Sequence, residues 1–92
     1  MTDLVKEPVQ QFFIFVRCEP GRSYAVALDI ARAKKNVVRE TSSISGEWDL
    51  LLLVEVPSGV DVGREVASLF EGIAGIVRTS TIAAFRLWPD DD

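Results

Sequence analysis

The sequence predicts an α+β fold, a ferredoxin-like βαββαβ sandwich in which a four-stranded antiparallel sheet carries two helices on one face. Three observations lead there. Two near-continuous apolar runs, 11–18 and 49–56, read as strands from the middle of a sheet. Each is closed by a Pro/Gly turn and followed by a segment with helical periodicity. Two β-rich stretches of mixed polarity, 37–45 and 76–88, then supply the outer strands.

The elements follow in order. Gln-Phe-Phe-Ile-Phe-Val-Arg-Cys (11–18) is aromatic or β-branched at most positions and ends at Glu19-Pro20-Gly21. Over 22–35, Tyr24, Ala27, Leu28 and Ala31 recur at three- and four-residue spacing, predicting a buried stripe, with Arg22, Asp29, Arg32 and Lys35 elsewhere. Val37–Ser45 mixes Val, Thr and Ser with Arg39 and Glu40, as an edge strand does, and Gly46-Glu47 turns the chain into the second apolar run. Pro57-Ser58-Gly59 stops that run. Ser58 with Asp61 is a short capping-box signal, and Val62, Val66, Leu69, Phe70 and Ile73 mark the buried stripe of a second helix ended by Gly72 or Gly75. The last strand, 76–88, places Val77, Thr79, Thr81, Ala83, Phe85 and Leu87 on one side and Arg78, Ser80, Ile82, Ala84, Arg86 and Trp88 on the other. With right-handed crossovers this order makes the two apolar strands central.

At 92 residues the chain holds one domain, expected to span 11–88 between short polar termini, 1–10 and 89–92. The net charge of −4 and scattered basic residues argue against binding to nucleic acid, which is driven by Lys and Arg on phosphates. Arg32, Lys34, Lys35 and Arg39, the one basic cluster, fit a solvated face. No histidine is present and Cys18 is the single cysteine, so the sequence predicts no metal site, no cofactor and no internal disulfide. Cys18 reads as a buried strand residue. The apolar runs are too short for a membrane span and no signal peptide is evident, so a cytoplasmic location is expected.

Two helices cover only one face of such a sheet, yet both central strands carry large apolar groups on both faces. The smaller of the two sets is Phe13, Phe15, Leu51 and Leu53. At ~1.5–3 kcal/mol per side chain buried, leaving four in water forgoes on the order of 6–12 kcal/mol, comparable with the ~5–15 kcal/mol total stability of a small domain. The sequence therefore predicts that these four residues form the interface of a face-to-face homodimer.

Two segments carry a family resemblance: Ser45-Gly46-Glu47-Trp48-Asp49 running into Leu50-Leu51-Leu52, and Gly75-Ile76-Val77-Arg78-Thr79-Ser80-Thr81. Together they resemble the effector-binding (RAM) domain of the Lrp/AsnC transcriptional regulators, whose pattern has a Gly-x-aromatic-Asp turn before an aliphatic strand and a later Arg-Thr-x-Thr. The resemblance covers 11–87. Trp48 stands where Tyr is more frequent, and Ile76-Val77 where the family has Val-x directly before Arg-Thr. Only about ten residues precede the first strand, so the resemblance implies a stand-alone member acting without the helix-turn-helix DNA reader. It also implies an amino acid or similar small effector held where dimers meet in a ring-like higher assembly, with a full-length Lrp/AsnC regulator as a further partner.

By match to the family segments, the effector-binding candidates are Gly46, Trp48, Asp49, Thr79 and Thr81. The chemistry fits: a carboxylate holds an ammonium group, hydroxyls serve a carboxylate, and a glycine lets backbone amides approach. Each residue also has a plain structural reading. Gly46 and Asp49 suit a turn, Thr79 and Thr81 suit any strand, and Trp48 suits an interface. Because strands two and four are opposite edges, the two segments are expected to meet only between subunits.

No enzyme is predicted, since the hydroxyls have no histidine to activate them and Glu47 with Asp49 is the only close carboxylate pair on the motif turn. Arg17, Arg22 and Asn36 offer no counterpart to the anion loop of acylphosphatases, which share the fold. The alternatives are an ACT-like sensor, suggested by Pro20-Gly21, a GYD-type ferredoxin-like protein, which shares the Gly-x-aromatic-Asp turn, and a purely structural assembly protein without ligand.

Overall fold

The computed structural model describes residues 9–34, 36–85 and 87. The order is β1 (Val9–Cys18), α1 (Ser23–Ala33), β2 (Val38–Ser43), β3 (Leu50–Pro57), α2 (Val62–Leu69) and β4 (Ile76–Ala84). The strands form one antiparallel sheet in the order β2-β3-β1-β4. The fold is therefore the α+β ferredoxin-like sandwich, with the two apolar strands central. β1 begins at Val9, inside the segment expected to be a polar terminus. Lys35, Arg86 and Trp88, and the terminal stretches 1–8 and 89–92, lie outside the described residues.

The core is built from alternate residues of the central pair. Ile14 faces Leu52, Val16 faces Leu50 and Phe12 faces Val54. All six are buried, and with Cys18, Val56, Val26, Ile30, Val38 and Leu69 they make a single cluster. Directly opposed residues of an antiparallel pair share a face, so this set defines the helix-covered side of the sheet. The intervening residues Phe13, Phe15, Leu51 and Leu53 stand on the other side and are half-buried.

Both helices differ from expectation. In α1 the buried residues are Val26 and Ile30, not the stripe of Tyr24, Ala27, Leu28 and Ala31; Tyr24 is 81% exposed and Ala31 is also exposed. A helix as apolar as Tyr-Ala-Val-Ala-Leu-Asp-Ile-Ala offers two adjacent stripes. Close packing fixes the choice, because a Cβ at Gly75 would sit 3.1 Å from Val26 Cγ2.

α2 ends at Leu69, short of the expected Gly72 or Gly75; Val62, Val66 and Leu69 of the helix, with Phe70 and Ile73 from the turns after it, pack on the core. Its cap is Asp61 itself rather than a box begun by Ser58. Asp61 Oδ1 accepts the Arg64 backbone N–H at 3.3 Å, satisfying one of the free donors of the first turn. Lys34 Nζ donates to the Ser68 carbonyl at 3.0 Å, tying the C-terminal turns of the two helices together.

Candidate functional site

The turn between β2 and β3 is built around Gly46, whose φ of 105° lies in the region closed to most side chains. It delivers Trp48 and Asp49 to the end of β1. Asp49 is held on three sides. Its N–H donates to the Val16 carbonyl at 2.9 Å, its carbonyl accepts from Ile44 N–H at 3.0 Å, and its Oδ2 accepts from Cys18 N–H at 2.7 Å. The carboxylate thus satisfies a strand-end amide where β1 runs past the last β3 ladder bond.

Trp48 lies on the uncovered side of the sheet. Its ring centroid is 5.8 Å from that of Phe15, tilted by 41°. The Arg78 guanidinium sits 4.7 Å from the Trp48 ring centroid, and Arg78 Nη2 also reaches Glu47 Oε2 at 3.5 Å. A cation over an exposed indole contributes about 0.5–1 kcal/mol. The two family-like segments therefore do meet within one subunit, through Arg78 rather than through the threonines. Arg78 stands opposite Arg17 on β1, and its long side chain reaches from there to the turn.

Thr79 and Thr81 lie elsewhere. They pair with Val16 and Ile14 and so share the helix-covered face, on the outer strand β4, where Thr79 is half-buried and Thr81 exposed. Trp48 and the two threonines are on opposite faces of one sheet. Gly46, Trp48 and Asp49 form one compact unit, and a single subunit does not bring the threonines to it.

One feature was not legible in the sequence. An open groove of about 330 Å³ runs between the start of α1 and β2, lined by Ser23, Tyr24, Ala27, Thr41, Ser43 and Leu50. Its hydroxyls come from segments whose spacing predicts only a helix and an edge strand, so nothing local announces it. Cys18 lies below α1. Burial pushes its thiol above the ordinary range, the Asp49 carboxylate adds to that, and a hydrogen bond with Ser23 opposes it. Among the described residues no group of three or more metal-ligating side chains is found. No helix among them is long and apolar enough to cross a membrane.

No family model matches the chain. It is 36% identical over 76 residues to an uncharacterized HTH-type transcriptional regulator of Pyrococcus horikoshii, a match covering 79% of this chain and 49% of the relative. The chain thus spans about half the length of the curated relatives it matches. Among solved structures, a Thermus thermophilus protein shows 31% identity and a TM-score of 0.69 over 88% of this chain and 99% of its own. AsnC of E. coli, at 19% identity, shares the fold with a TM-score of 0.69 over 86% of this chain and 52% of its own. The chain is thus related to one half of an HTH-type transcriptional regulator and shares its fold with AsnC, and its Gly-x-Trp-Asp turn and Arg-Thr-x-Thr strand match the pattern of the Lrp/AsnC RAM domain.

Proposed function

We propose that this protein is a non-enzymatic, cytoplasmic regulatory module that self-associates through the uncovered face of its sheet and binds a small effector, of the amino-acid class, at the rim of that face. The observation that carries this reading is the position of Trp48. The ring stands at the end of the apolar surface formed by Phe13, Phe15, Leu51 and Leu53, already braced by Phe15, Arg78 and Glu47. A second copy covering that surface would close one side of the turn, so that assembly and ligand binding would be linked. Gly46, Trp48 and Asp49 would supply one wall, and the other would come from Thr79 and Thr81 of a subunit other than the face-to-face partner, since they face the helix side of β4.

A thermal-shift screen against the twenty amino acids tests the effector. A ligand that binds only the folded form raises the melting temperature by mass action, so a few amino acids should do so and Trp48→Ala should abolish the effect. Co-purification with a full-length Lrp/AsnC regulator would extend the role to modulation of a relative by mixed assembly.

A second reading has one observation in its favour. The Asp49 carboxylate is occupied by the Cys18 amide, as in a turn built only to hold its strands. A purely structural assembly protein would show no thermal shift with any amino acid.

A further inference from the structure

The two edges of the sheet are not alike. β2 is six residues long, carries Arg39 and Glu40, and slips register against β3 between Val38 and Glu40. Charge, shortness and irregularity are the devices by which edge strands avoid pairing with other chains. β4 is nine residues long with one charged residue, Arg78, whose guanidinium is turned away onto Trp48 and Glu47. It contains no proline or lysine, and its one register irregularity lies at its first residues. Its length also carries a row of exposed apolar groups. Val77 is 58% exposed and Ile82 49%, followed by Phe85 at 84% and Leu87 at 73%.

We propose that β4 pairs antiparallel with β4 of a second copy, about a two-fold axis at Ser80, joining two sheets edge to edge. The sequence of the strand favours itself as the occupant. In that register Thr79 lies opposite Thr81 of the partner subunit, Arg78 opposite its Ile82 and Val77 opposite its Ala83. No like charges meet, and facing Thr–Thr pairs are favourable cross-strand neighbours. Phe85 comes to lie beside Gly75 of the partner subunit. The alternative occupant, β2, would set the uncharged stretch of β4 against Arg39 and Glu40 and lose backbone bonds at the slip. This contact uses the edge rather than the uncovered face, so it is independent of the pairing proposed above. A chain with both would have two separate two-folds and build assemblies larger than a dimer.

Site-directed cross-linking tests it in a Cys18→Ala background. Facing residues of an antiparallel pair bring their Cβ atoms to about 4.5–5.5 Å, within reach of a disulfide after small adjustment. Under mild oxidation Ser80→Cys should give a covalent dimer on non-reducing gels. Thr79→Cys and Thr81→Cys should each stay single and cross-link when mixed. As a second measurement, Thr81→Lys should halve the sedimenting mass while leaving the circular dichroism spectrum unchanged. Adding Leu51→Glu to Ser80→Cys should leave the cross-link in place, which separates this contact from the face-to-face one. A Ser80→Cys chain that stays single, a preferred cross-link between Ser80→Cys and Thr41→Cys, or an unchanged mass in Thr81→Lys would each overturn the proposal.

Discussion

Asp49 shows how one side chain serves a turn and a candidate site together. Its Oδ2 answers the Cys18 amide at 2.7 Å, so Asp49→Ala should lower stability by roughly 1–3 kcal/mol through an orphaned donor. Asp49→Asn keeps an acceptor and should cost less. If Asp49 also holds an effector ammonium group, Asp49→Asn should lose binding at near-normal stability; denaturant melts read the first effect and calorimetric titration the second. Cys18 gives a second prediction. Its thiol is buried and its pKa raised, chiefly by desolvation. Thiolate is the reactive form, so alkylation at neutral pH should be slow until the chain unfolds. The sign of the linkage follows: with the folded pKa above the unfolded value, the contribution of the neutral thiol is complete below the unfolded pKa and is lost as pH rises through the folded one. Stability should therefore fall on the alkaline side more steeply in the native protein than in Cys18→Ala.

At the scale of elements, two glycines in turns differ in what a methyl group would meet. Gly46 has nothing within 4 Å of a built Cβ, so Gly46→Ala carries only the backbone cost of its positive φ, about 1 kcal/mol. At Gly75 the same unfavourable φ is joined by Val26 Cγ2 at 3.1 Å and Arg22 Cβ at 3.3 Å. Gly75→Ala should be the more destabilising of the two, since α1 must lift from the start of β4 to admit it; thermal melts of the pair give the comparison. Arg78→Ala should free the Glu47–Trp48 turn without unfolding the sheet, which Trp48 fluorescence reports as a more water-exposed indole.

For the whole molecule, the decisive feature is a four-stranded sheet with helices on one side only. The half-buried Phe13, Phe15, Leu51 and Leu53 remain on the other. Light scattering at micromolar concentration should give at least twice the 10.2 kDa chain mass, and Leu51→Glu or Leu53→Glu should yield aggregated protein or a smaller assembly that keeps only the β4 edge contact. A chain of net charge −4 should also leave duplex DNA unshifted at physiological salt.

Composition and period by themselves determined the element order, the centrality of β1 and β3, the stripe of α2 and the apolar set left on the second face. Those properties follow from alternation every two residues and recurrence every three or four, which are local. Which stripe of α1 turns inward was not local: Val26 wins because the backbone of Gly75, about fifty positions later, packs against it. The same holds for the site. Gly46, Trp48 and Asp49 were legible as one turn, and Thr79 and Thr81 as one strand. That Arg78 would reach past β1 to hold Trp48, while the threonines beside it faced the helices, depends on the pairing of Arg17 with Arg78 and of Val16 with Thr79. Register is a property of two strands together, and a shift of one residue reverses every side chain in it.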